Sequence, residues 1–224
     1  MPLWRDKGFL IGIIIFLLVF VSGSAAIVLR LRHEIRQQEE AILQQVAKVE
    51  AGKFQLGQKL PDFSLADASG NQFSLSGALD GQHYVVVNFH HPDCPCAANC
   101  GALINEMIDA GYSDIKVIGI MSSDTRSERA LTALKRQQES GEIRFPVYLD
   151  HDKTVQNLLG ATRTPEVWVL DKEGKIVFYG APETSLFPGS EGHRYLLREA
   201  IDALRRDHKP EIARFEPIGC RIEG

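Results

Sequence analysis

The sequence has no basic excess. Its 25 lysines and arginines are set against 29 aspartates and glutamates, a formal charge of -4 over 224 residues. Nucleic-acid binding rests on clustered positive charge that displaces phosphate counterions, so the chain lacks the footprint for that partner. Cysteine is also scarce: there are four, and Cys94, Cys96 and Cys100 fall within seven residues. Cysteines that close together cannot staple distant parts of a fold. That excludes a disulfide scaffold and leaves chemistry or metal binding as the reason for the cluster. No internal repeat is visible, and the length is short for two ordinary domains, so one buried domain with an appendage is expected.

What is there begins with a flank, residues 1–7, and then an uncharged run of 22 residues from Gly8 to Leu29, dense in Ile, Leu, Val and Phe. As a helix it spans about 33 Å at ~1.5 Å per residue, enough to cross the hydrocarbon core of a bilayer. A single transmembrane helix over 8–29 is the expectation. Ser24-Ala25-Ala26 also offers small residues for a signal peptidase, but the run exceeds the usual length of a signal peptide's apolar region. Arg5 and Lys7 precede the span and Arg30, Arg32 and Arg36 follow it, so charge alone does not orient it. Residues 30–52 read as a polar helical stalk, with Ile35, Ile42, Val46 and Val49 on one face. Two heptads are too few for a coiled coil, and the stalk reads as a solvated spacer.

From 53 to 208 the pattern becomes one of short apolar runs between turn signals. Asp67-Ala68-Ser69-Gly70-Asn71 between Phe63-Ser64-Leu65 and Phe73-Ser74-Leu75 predicts a hairpin. Tyr84 to Phe89 is a near-continuous apolar run suited to a strand buried on both faces, and a helix is expected from Ala97 to Ala110. Further strands are expected at Ile115 to Met121 and Phe145 to Leu149, with helices at Arg126 to Gln138 and Thr154 to Leu159. Glu166 to Leu170 and Lys175 to Tyr179 flank Asp171-Lys172-Glu173-Gly174 as a second hairpin, and Tyr195 to Arg206 is a last amphipathic helix. This alternation argues for an α/β sheet. Residues 209–224 form a tail that carries Cys220.

Thiol–disulfide exchange needs a thiolate, and a helix N-terminus supplies one with free N–H groups and the positive end of a dipole. Cys94 lies where a buried strand gives way to a helix, and Pro95 suits the first helical turn. Together Val87-Asn88-Phe89-(x4)-Cys94-Pro95, Thr164-Pro165 and Val167 to Ile176 resemble the thioredoxin superfamily. More narrowly they are similar to its membrane-tethered periplasmic branch and to redoxin-type (AhpC/TSA-like) domains, over about Phe54 to Ala181. The resemblance implies a thioredoxin fold: a central mixed sheet flanked by helices, with an N-terminal β-hairpin extension. It implies a cis bond at Pro165 beside the reactive cysteine, with the Thr164 backbone free to pair with an extended substrate. It further implies exchange with protein thiols or disulfides and with a redox partner protein, no cofactor, and a domain outside the cytoplasm on the periplasmic side of a bacterial inner membrane.

The chain departs from the family at the second motif cysteine, since Ala97 stands three after Cys94. The resolving thiol is therefore open. A Cys94–Cys96 bridge closes a small strained ring and would be labile and oxidising. Cys96 and Cys100 share a helix face, where they would form a strained bridge, co-ligate a metal or simply pack in the core. Cys220, within Pro217-Ile218-Gly219-Cys220-Arg221-Ile222, would resolve a Cys94 mixed disulfide, pair structurally with Cys96 or Cys100, or stay unpaired. His90 and His91 precede the motif and offer thiolate stabilisation or metal ligation, or an ordinary hydrogen-bonded strand end. Asn88 stands where thioredoxins proper carry a buried acid.

Four functions are compatible with these residues. The leading one is membrane-anchored exchange with Cys94 as nucleophile, Cys96, Cys100 and Cys220 as candidate partners, and Thr164 and Pro165 as the substrate contact. The second is a Cu(I) or Zn module using Cys94, Cys96, Cys100 and His90, although copper-delivering relatives would place the second cysteine on Ala98. A peroxidase fits poorly: peroxiredoxins place proline seven and threonine three before the reactive cysteine, where this chain has Val87 and His91. A redox-inactive interaction domain is the fourth.

Overall fold

A computed structural model describes residues 30, 32–37, 54–187 and 189–222. The expected membrane helix over 8–29 and most of the stalk lie outside the described residues. Among the described residues no helix is long and apolar enough to cross a membrane. The chain divides into two units, Met1–Gln45 and Val46–Gly224. In the first, residues 32–37 are helical, and Arg30 pairs with Glu34 one turn on at 3.0 Å.

The second unit opens with a hairpin, β1 (Ser64–Ala66) and β2 (Gln72–Ser74), in which Leu65 faces Phe73. Its turn is held by Asp67, whose carboxylate accepts from the Ser69 and Asn71 backbone at 2.8 and 2.9 Å. A short helix α1 (Leu75–Ala78) follows, capped by Ser74 Oγ accepting from Gly77 N–H at 3.1 Å. The chain then runs through β3 (Tyr84–Phe89), α2 (Pro95–Asp109), β4 (Ile115–Met121), α3 (Glu128–Glu139), β5 (Val147–Leu149) and α4 (Thr154–Leu159). After these come β6 (Arg163–Thr164), β7 (Glu166–Leu170), β8 (Ile176–Gly180), α5 (Leu196–Arg205), β9 (Arg214–Phe215) and β10 (Cys220–Arg221).

Eight strands make one mixed sheet in the order β2-β1-β5-β4-β3-β7-β8-β9, with β3, β4 and β5 parallel and β7 antiparallel to β3. β3 and β7 lie in the interior of the sheet, which is why both are largely apolar: Val85, Val86, Val87 and Phe89, and Val167, Trp168, Val169 and Leu170, are at most 1% exposed, with Asn88 and Glu166 as the buried polar exceptions. Each such side chain contributes about 1.5–3 kcal/mol on burial. Helix α5 turns Leu196, Leu197, Ala200 and Ile201 inward, the one-sided spacing of an amphipathic helix. Buried Asp150 caps α4, accepting from Val155 and Gln156 N–H at 3.1 and 2.8 Å. The expected thioredoxin-like α/β fold with its hairpin extension is present.

Differences from the sequence reading are local. Residues 209–222 do not hang free: β9 pairs parallel with β8 and extends the sheet, while β10 pairs antiparallel with β6 in a second, two-stranded sheet. Both strands are two residues long, and their partners rather than their own periodicity define them.

Candidate active site

Topology brings the site together. Because β7 runs antiparallel to β3, its first residue Glu166 lies opposite Phe89, the last residue of β3. The loop after β3 and the segment before β7 therefore meet at one end of the sheet. Cys94 ends that loop as the N-cap of α2, with extended backbone (φ -95°, ψ 111°) and Pro95 as the first helical residue. Its carbonyl accepts from Ala97 N–H at 3.0 Å, so the helix begins at the sulfur-bearing residue itself. The Thr164–Pro165 bond is cis, and Thr164 O lies 3.1 Å from Cys94 Sγ.

Cys94 is joined to Cys220 in a disulfide, with the two Cα atoms 6.2 Å apart. The tail reaches Cys94 by strand pairing: Cys220 stands opposite Thr164 and Arg221 opposite Arg163. Arg163 also donates through its guanidinium to Gly219 O at 2.8 Å, and Ile222 N–H donates to Thr162 O at 3.0 Å. Cys96, one residue into α2, remains a free and partly exposed thiol. The sulfurs of Cys94, Cys96 and Cys220 all lie within 4.8 Å of one another. Only Cys94 of the three is closely covered, at 3% exposure.

Cys100 does not join them. It lies on the buried face of α2, fully covered, with its thiol 3.7 Å from Asn88 Oδ1, and burial pushes it far above the usual thiol range. A buried thiol held in its protonated form is a poor nucleophile and a poor ligand. His90 is also turned away: Nε2 contacts Gln137 Oε1 at 3.1 Å, its ring meets Phe145 edge-on, and burial pushes it down to about 4. The metal set read from sequence, Cys94, Cys96, Cys100 and His90, is thus not the set the fold assembles, because Cys100 and His90 face the core. His91 is partly buried, with Nδ1 accepting from Asp93 N–H at 3.2 Å and Nε2 3.2 Å from the Asp124 carboxylate.

Residues 56–179 match the AhpC/TSA family model, more than half of the sequence. The chain belongs to the AhpC/TSA family. This redoxin is 29% identical over 136 residues to the thioredoxin-like protein YneN of Bacillus subtilis, covering 60% of this chain and 76% of that one. It is 26% identical over 122 residues to the thiol–disulfide oxidoreductase ResA of the same organism, covering 54% of this chain and 64% of the relative. A solved structure of a hypothetical protein from Sinorhizobium meliloti shares the fold at a TM-score of 0.63 and 24% identity, covering 77% of this chain and 97% of that one.

Two features of this redoxin escaped the sequence reading. Glu166 directly follows the cis-proline, is 3% exposed, and accepts from Thr162 N–H at 2.9 Å; burial pushes its carboxyl up to about 7. The signal was a lone carboxylate opening an otherwise apolar central strand. Glu183 sits beside Cys96 and Pro165 in a crevice and accepts from His193 Nε2 at 2.7 Å, and burial raises its carboxyl. Its loop has no periodic pattern, so nothing in the sequence pointed there.

Proposed function

We propose that the protein is a thiol–disulfide oxidoreductase acting on protein substrates, with Cys94 as nucleophile and Cys220 as its redox partner. The observation that carries this is the Cys94–Cys220 bridge at a helix N-terminus beside a cis-proline. In the reducing direction the Cys94 thiolate attacks a substrate disulfide, a Cys94–substrate bond forms, and one substrate sulfur leaves as thiolate and takes a proton. Cys220, as thiolate, then attacks Cys94 Sγ. The Cys94–Cys220 bond forms, the second substrate sulfur leaves, and two electrons have passed from protein to substrate. The oxidising direction is the reverse, with Cys94, stabilised by the N–H groups of α2, as leaving group.

Tethering through residues 8–29 sets this chemistry at a membrane, with the domain on the periplasmic side of a bacterial inner membrane, where disulfides persist. A redox partner protein restores the dithiol or disulfide. Protease added to intact spheroplasts is expected to digest the domain; complete protection would contradict that location. For the exchange itself, the Cys220→Ser variant is expected to accumulate a Cys94 mixed disulfide with a model substrate such as insulin, which wild type does not. If Cys94→Ser retains wild-type insulin-reduction activity with dithiothreitol as reductant, over the uncatalysed rate, the proposal is wrong.

One observation favours a second reading. With the bridge reduced, Cys94, Cys96 and Cys220 present three sulfurs suited to a soft cation such as Cu(I). Copper retained by the reduced wild type and lost in each of the three serine variants would support it.

A further inference from the structure

The family resemblance implies an edge at Thr164 for an extended substrate; the structure shows that edge already occupied. The tail lies on it in antiparallel register, bonded through sulfur to Cys94, with its backbone tied on both sides of the cysteine by Arg163 to Gly219 O and by Ile222 N–H to Thr162 O. This is the arrangement of an enzyme–substrate mixed disulfide, made within one chain. The side chains around Cys220 fit places that are not neutral. One residue before, Gly219 has φ +134°, and a Cβ there would run into the Thr164 carbonyl oxygen. Two before, Ile218 lines the crevice with Cys96, Asn99, Pro165, Pro182 and Leu186. Two after, Ile222 packs against the main hydrophobic core, while Arg221 between them points to solvent.

We infer that residues 218–222 are a tethered substrate strand: they occlude the edge in the oxidised protein and record what it accepts, an extended protein segment of the form apolar-Gly-Cys-x-apolar. The inference rests on the exchange function proposed above and names its substrate class. An external segment and the tail compete for one edge, so the tail sets the threshold that a partner protein must pass. Leu186, 40% exposed and lining the same crevice as Ile218, adds apolar surface at the −2 position.

The test uses the full-length Cys96→Ser/Cys220→Ser variant, in which Cys94 is the remaining reactive thiol, and the peptide Pro-Ile-Gly-Cys-Arg-Ile, whose cysteine is activated as a mixed disulfide with thionitrobenzoate. The Cys94 thiolate attacks the peptide sulfur, the Cys94–peptide bond forms, and the peptide–thionitrobenzoate bond breaks with release of the coloured thiolate. The same peptide with Gly219→Ala, or with Ile222→Asp, is expected to react about tenfold or more slowly, the worth of one lost seat. Adding Gly219→Ala to the protein, which unseats its own tail, is expected to speed the parent peptide by a similar factor. Equal rates for all three peptides would overturn the tethered-strand inference and leave Cys94 exchange standing. No release from any peptide would overturn the exchange reading itself.

Discussion

Two buried titratable side chains near the site oppose each other. His90 is held neutral by burial, down to about 4. It binds fewer protons folded than unfolded, so its contribution is present above the unfolded value near 6.5 and is lost as pH falls through the folded value. Glu166 is also held neutral, up to about 7. It binds more protons folded than unfolded, so stability is lost as pH rises from near 4.5 through 7. Each effect is on the order of 3 kcal/mol, and across pH 4.5–6.5 they largely cancel. Glu166→Gln is therefore expected to raise the urea-unfolding free energy relative to wild type increasingly as pH rises through this window, and His90→Asn to lower it increasingly as pH rises. Parallel pH profiles for wild type and both variants would contradict this. Cys100 belongs to the same scale: Cys100→Ala is expected to cost about 1–2 kcal/mol of stability through lost packing while leaving insulin reduction at the wild-type rate.

At the scale of elements, β8 and β9 depend on one glycine. Gly180 has φ +125°, and a Cβ there would meet the Phe215 carbonyl oxygen. Gly180→Ala is expected to displace β9, to destabilise the protein by about 2–3 kcal/mol in urea unfolding, and to open cleavage near Lys209 in limited proteolysis. An unchanged midpoint and an intact tail would contradict it. The elements also show where the sequence was legible. The central strands β3, β4 and β7 announced themselves because burial in the sheet interior demands largely apolar runs, and Pro95 marked the start of α2. Strands β6, β9 and β10 had no such signature: two residues each, they exist only through distant partners, and Phe215 is a single apolar anchor rather than a period. Cys94 was readable from its local setting, and Thr164-Pro165 from the family resemblance. The pairing of Cys94 with Cys220 stood only as one of three open alternatives, because it depends on a strand docking across the fold, and Cys100 was indistinguishable from Cys96 until the depth of each thiol was known.

Over the whole molecule, the Cys94–Cys220 bridge closes a loop with a sequence separation of 126. A loop that long removes much freedom from the unfolded chain, worth about 3–5 kcal/mol in the chain-entropy account. Reduction with a phosphine is expected to lower Tm by roughly 10 °C. The same change in Cys220→Ser, where there is no bridge to reduce, would show the effect to lie elsewhere. The bridge thus ties stability to redox state, and its reversibility is the central claim. The most direct measurement is titration of the full-length protein in glutathione redox buffers, with disulfides mapped by mass spectrometry in wild type and the four serine variants. A reversible Cys94–Cys220 bridge is expected in wild type and Cys100→Ser and is absent in Cys94→Ser and Cys220→Ser, with Cys96→Ser retaining it at a shifted potential. A Cys94 that stays a free thiol across the whole range, or a bridge that no buffer reduces, would contradict it.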